Sequence, residues 1–273
     1  MKLRLLPFLV LLHTFPVAAQ QRPLVTERVE TVDRGHLLFD FGVEFLQDTE
    51  FRLSGLKGDL TRVGVISARF GVGDNVEVRI AGSIQDFLNV DDRFAAPNAN
   101  ILDFSGNSTS DVGDFRLATK IRFNQEHEGT PAFGLDFGME LPNASNESGL
   151  GNDETNVFAA LLIEKHLNRL RLTGNVGTVI LGDPLEPGSQ DDLFTYGVAA
   201  TFAATPKLNL LAEVYGRTGP GGIGTEDRAR LRAGVQIRAG GAYWDIAALV
   251  GFNDSDPSSG VIIGVSKTIN LLK

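Results

Sequence analysis

Apolar and polar residues alternate along most of the chain. In Leu37-Leu38-Phe39-Asp40-Phe41-Gly42-Val43-Glu44-Phe45 the odd positions are all apolar, and the even ones are mostly polar or small. Phe115 to Phe123 repeats the pattern with Arg116, Lys120 and Arg122 on the even positions, and Phe133 to Leu141 does so with Asp136 and Glu140. Apolar residues at i, i+2, i+4 and i+6 share one face of a strand but not of a helix. The same reading predicts strands over 36–46, 60–70, 76–86, 113–123, 132–141, 156–166, 169–180, 192–202, 207–217, 228–238, 242–252 and 259–269. Most are close to the ~9–11 residues that cross an outer membrane at a tilt. Three are less regular: the facing around Arg62 is ambiguous, 156–166 is partly apolar on both faces, and Val261-Ile262-Ile263 breaks the alternation.

The connections alternate in length. Gly71 to Asn75, Asn124 to Pro131, Leu167-Asn168, Ala203 to Pro206 and Ala239 to Gly241 are short. Gln47 to Asp59, Phe87 to Val112, Pro142 to Thr155, Leu181 to Asp191, Thr218 to Asp227 and Asn253 to Ser258 are generally longer. Short turns at one end and long loops at the other define an all-β, transmembrane, antiparallel up-and-down barrel of about twelve strands, with the short turns in the periplasm. Phe39, Phe41, Leu117, Leu135, Phe137, Val198 and Ile246 are then expected to face lipid. Aromatic girdles are expected from Phe70, Phe123, Phe133, Phe202 and Trp244 on the periplasmic side, and from Phe45, Phe115, Phe194 and Phe252 on the outer side.

The N-terminus reads as an export signal: Lys2 and Arg4, an apolar run from Leu5 to Leu12, and Val17-Ala18-Ala19 as the cleavage site. The predicted organisation is a signal peptide over 1–19, a polar periplasmic extension over 20–34, and an outer-membrane barrel of a Gram-negative bacterium over 35–273. Cysteine is absent, so closure of the sheet must stabilise an exported chain that disulfides cannot. The net charge is −9, and loss of Lys2 and Arg4 makes it −11, which argues against nucleic acid as a partner.

Several segments together resemble the outer-membrane family assigned to the MetA pathway of phenol degradation. These are Arg69-Phe70-Gly71-Val72-Gly73-Asp74-Asn75-Val76-Glu77-Val78, the Val112-Gly113-Asp114-Phe115 opening to a strand, and Gly138-Met139-Glu140-Leu141-Pro142, with Leu172 to Gly177 and Leu211 to Gly216 further on. The resemblance spans most of the exported chain and implies an outer-membrane transporter without fixing its solute. Gly264 to Ile269 is similar to the terminal signal read by the barrel-assembly machinery, with Ile269 where an aromatic residue is usual.

The chemistry is expected in the lumen. Glu44, Glu77, Arg79, Arg116, Lys120, Arg122, Asp136, Glu140, Arg171, Glu213 and Arg232 all fall on the inward face. They would act either as a lining that screens solutes by charge or as a structural ladder of ion pairs filling a narrow barrel. Phe94, Ile101, Leu102 and Phe104 make the 26-residue loop Phe87–Val112 apolar, and a fold of that loop into the mouth would form a constriction. His36, His127 and His166 lie on the periplasmic side, away from any outward-facing nucleophile, so no enzyme is predicted. No cofactor or metal site is predicted, because the acidic pairs Asp91-Asp92 and Asp153-Glu154 lack ligand spacing. The expected function is a passive channel for small molecules, hydrophobic or aromatic ones among them, embedded in lipid and lipopolysaccharide. The alternative is a closed structural or adhesive barrel whose outer loops bind a partner.

Overall fold

A computed structural model describes residues 22–186 and 188–271; the signal-peptide reading of 1–19 lies outside them. The strands are β1 (His36–Phe51), β2 (Leu56–Gly73), β3 (Val76–Arg93), β4 (Ser108–Asp111), β5 (Phe115–Asn124), β6 (Ala132–Leu141), β7 (Asn156–Leu167), β8 (Leu170–Gly182), β9 (Gln190–Thr205), β10 (Leu208–Thr218), β11 (Arg228–Ala239), β12 (Ala242–Gly251) and β13 (Ser259–Asn270). Each pairs antiparallel with its sequence neighbours, except that β4 hangs as a short flap on β3 and β5 takes the next place in the wall. The register His36↔Asn270 through Gln47↔Ser259 joins β1 to β13 and closes a barrel of 12 strands. Closure leaves no unpaired edge among them, which is what a sheet must achieve in lipid.

All twelve predicted strands are present, most of them with ends within a few residues of the prediction. The main departures in the wall are at β1, β2 and β3. Gln47–Asp59 is a continuation of β1 and β2, which meet through the turn after Phe51, and β3 runs on to Arg93. Above the membrane both faces of a strand tolerate polar residues, so alternation fades although pairing does not. The ambiguity at Arg62 has a local cause: Gly64, at φ +66°, sits at a bulge where the β1–β2 register shifts, and Arg62 and Val65 both turn inward. Val261 and Ile263 face outward and Ile262 inward, so the alternation there is intact.

The outer surface is apolar, with Phe41, Leu117, Val198 and Ile246 exposed on its flank and Phe123, Phe133 and Trp244 exposed near the short turns. The core is the lumen. Toward the long loops one sector is apolar: Leu46, Leu56, Leu60, Leu88, Val90, Leu249 and Ile262 pack together under Phe51, Leu102, Phe104 and Leu150. Toward the short turns it is polar and densely paired.

Candidate functional site: the occluded lumen

Residues 22–32 lie inside the barrel, and Asp33 and Arg34 are exposed at its rim. The chain turns inward at the short-turn rim, where Gly35 N–H donates to Gly71 O at 2.8 Å. Gly71 has to be glycine, since a Cβ there would meet the carbonyl oxygens of Asp33 and Val32 at 2.2 and 2.3 Å. The segment then crosses the lumen, and lumen side chains take up its backbone groups. Val32 N–H donates to Glu77 at 2.7 Å, Glu27 N–H to Asn175 at 2.5 Å, and Thr26 N–H to Glu213 at 2.8 Å. Gln236 donates to Arg22 O at 2.6 Å, and Arg232 donates to Pro23 O. An irregular segment buried in this way would be untenable with its amides unpaired.

Its side chains are held as firmly. Glu27 is the hub: Arg69 reaches it at 2.8 Å, Lys120 at 3.0 Å, and Arg79 completes the cluster. Lys120 also contacts Glu77 at 3.0 Å, and Arg79 contacts Asp136 at 2.9 Å. Burial works against a charged Glu27, but Arg69, Arg79 and Lys120 outweigh it and hold the carboxyl far below the usual carboxylate range. Arg28 pairs with Glu164 at 3.2 Å and with Glu30 at 2.5 Å; burial opposes its charge, and the two glutamates more than restore it. Arg22 ends the described segment beside Asp245 at 3.5 Å. Lumen glycines make the room: a Cβ at Gly42 or Gly264 would strike the Arg22 guanidinium, and one at Gly197 would press on Thr26.

The predicted lumen residues are accordingly sorted by depth. Glu77, Arg79, Lys120, Asp136, Glu213 and Arg232 anchor the segment directly or through its partners. Arg122 caps the β2–β3 turn through Asp74 O at 2.7 Å, and Arg171 sits at the same rim, donating to His166 at 3.1 Å. Glu44, Arg116 and Glu140 instead face open space on the long-loop side; Arg116 and Glu140 pair at 2.9 Å, and Arg116 lies over the Phe158 ring at 4.7 Å. Of the loop candidates, Leu102 and Phe104 pack against the apolar lumen cluster, whereas Phe94 and Ile101 are exposed.

The reading of 20–34 as a periplasmic extension does not hold for the described residues of that segment. Its charged residues Arg22, Glu27 and Arg28 pair with the lumen wall, and the sequence pattern does not mark them. One signal points to them: inward glycines at Gly42, Gly134, Gly197 and Gly264 that no strand bend requires.

Between the segment and the long loops lie two adjoining cavities of about 330 and 520 Å³. They meet at Arg79, Arg116, Glu140, Arg217 and Arg228, with Glu27 in the floor. Phe158, Tyr215, Val179 and Leu181 supply apolar wall to the first, and Glu44, Arg62 and Asp86 supply charge to the second. Among the described residues, no cluster of His, Asp and Glu is arranged to hold a metal ion.

Fold and site together define an outer-membrane β-barrel whose lumen is crossed by its own N-terminal segment. The chain belongs to the family described as "Putative MetA-pathway of phenol degradation", whose profile matches residues 21–256. The fold is shared with an outer membrane channel from Pseudomonas putida F1 (TM-score 0.62, 14% identity, 88% of this chain and 98% of that one). It is also shared with the NanC porin (TM-score 0.52, 9% identity, 86% and 100% covered). The translocator domain of the autotransporter NalP from Neisseria meningitidis is comparable (TM-score 0.52, 10% identity, 88% and 90% covered). No curated protein sequence matches the chain.

Proposed function

We propose that this protein is a passive outer-membrane channel for small molecules with an aromatic or apolar body, gated by its own residues 22–34. The observation that carries this reading is the pair of cavities outside the segment, where arginines stand beside Phe158 and Tyr215. A closed structural barrel has no use for a vestibule of mixed apolar and charged wall, whereas a solute site typically has that composition. Glu44, Arg116 and Glu140 are the selectivity residues in this account, and Leu102 and Phe104 narrow the mouth from above. No chemistry is performed on the solute and no energy is consumed.

Planar-bilayer recording of the refolded full chain tests the reading. The expected result is brief, small conductance steps in the native protein and larger, longer ones when residues 22–33 are deleted. The closed, adhesive alternative draws support from the occluded lumen itself. It would be favoured if folded protein conducts neither with the segment nor without it.

A further inference from the structure

On the long-loop side of the lumen, Arg217 of β10 and Arg228 of β11 are direct cross-strand partners, and Arg230 follows two residues on. All three line the cavities. Like charges placed directly opposite one another destabilise a sheet, so each guanidinium needs a counter-charge. Arg217 has one: it donates to Gly224 O at 3.0 Å and to Glu226 O at 3.3 Å, with the Glu226 carboxylate at 3.9 Å. Arg230 has another, Asp256, at 2.6 Å. Arg228 has none within ion-pair distance among the described residues, and its Nε is buried without a hydrogen-bond partner. The nearby carboxylates Glu226 and Asp256 are committed to its neighbours.

An unpartnered guanidinium held between two like charges, facing a cavity, calls for an explanation. The wall of the smaller cavity supplies one. Phe158 and Tyr215 lie on the same side of the lumen, with Val179 and Leu181 beside them. An arginine fork matches a carboxylate or sulfonate in two parallel hydrogen bonds, and an apolar wall nearby accommodates the rest of the molecule.

We infer that Arg228 is the anchor of a solute-binding site in the outer vestibule, and that the site takes a small aromatic or apolar molecule bearing one anionic head group. The head binds Arg228 and restores charge balance to the arginine pair; the body lies along Phe158 and Tyr215. This inference rests on the channel reading for its physiological meaning, but the binding itself does not depend on conduction.

The test is equilibrium binding of benzenesulfonate to the detergent-solubilised full chain, followed by calorimetry, with benzyl alcohol and methanesulfonate as probes lacking the head or the body. Benzenesulfonate is expected to bind more tightly than either fragment. Arg228→Gln should weaken it tenfold or more, in line with the ~1.5–3 kcal/mol of a hydrogen bond to a charged group. Arg228→Lys should retain part of the affinity, and Arg169→Gln, in a short turn, all of it. The heat-modified shift of the barrel on gels shows that each variant is folded. Equal binding by folded native and Arg228→Gln proteins, or no binding by the native protein, would overturn the site. A protein that conducts yet fails to bind benzenesulfonate loses the site and keeps the channel; one that binds through Arg228 yet never conducts keeps the site and loses the channel.

Discussion

The Glu27 carboxylate and the Lys120 ammonium lie 3.0 Å apart, both shut away from solvent inside a membrane barrel. One belongs to the segment crossing the lumen and the other to the wall, so the pair is a bond between gate and frame. Arg69 and Arg79 share the same carboxylate.

Truncation of the hub should release the gate. Glu27→Ala leaves Arg69, Arg79 and Lys120 without their common anion, and breaking a buried ion pair from one side costs on the order of 3–5 kcal/mol. At about 1.4 kcal/mol per tenfold, docking would weaken by at least two orders of magnitude. Bilayer recordings are expected to show a clear rise in open probability, while gel mobility shows the barrel itself intact.

Acid should act through the same residue. Glu27 is held below its ordinary value of 4.5, so its contribution to docking is complete above that pH and is lost as pH falls toward its docked-state value. At pH 3 the loss is about 2 kcal/mol, from ~1.4 kcal/mol per pH unit. Asp136 and Glu77 share the cations that hold Glu27. Open probability should therefore climb between pH 5 and pH 3 in the native chain. In Glu27→Gln, already raised at neutral pH, it should climb much less.

The root of the segment offers a steric handle. Gly71→Ala places a methyl group against the backbone oxygens of Val32 and Asp33, which are not the ends of a flexible side chain and cannot swing aside. Residues 29–34 should shift. A cysteine introduced at Val29, buried in the native barrel, is expected to react with a water-soluble maleimide several-fold faster in the Gly71→Ala background.

The mouth should respond to loss of its apolar lid. Leu102 and Phe104 pack against Leu46, Leu56, Leu60 and Leu88. Replacing both by Ala removes partly buried surface worth roughly 2–4 kcal/mol in sum. The loop should loosen, and single-channel conductance measured in the Glu27→Ala background, where the gate is open, should increase.

The barrel wall was legible in the sequence because lipid enforces period two: Phe39, Phe41 and Leu117 must face out, and Asp40 and Lys120 must not. The tall hairpin of β1 and β2 was not, because above the bilayer Thr49, Lys57 and Asp59 are free to face either way. The bulge at Gly64, which separates inward Arg62 from inward Val65 and breaks the period-two pattern, blurred Arg62, since a bulge shifts register without changing composition. The segment at 22–34 was missed for a deeper reason. Its partners Glu77, Glu164, Glu213 and Asp245 are spread around the whole circumference, and only closure of the barrel brings them to one path. In the sequence Arg228 is one more residue of a strand, with nothing to mark it as a site residue. Its lack of a counter-ion appears only once Glu226 and Asp256 are seen to be taken.

The most direct test of the account is to fasten the segment in place. Thr26 and Gly197 are suited to it: a Cβ built on Gly197 lies 3.4 Å from that of Thr26, close to the ~3.5–4.5 Å of a disulfide. The chain contains no cysteine to compete. Thr26→Cys with Gly197→Cys, oxidised, should show no conductance steps in planar bilayers, and reduction should restore them to the level of the reduced double variant. Undiminished conductance through a barrel whose disulfide is shown by mass spectrometry to be formed would contradict the gate.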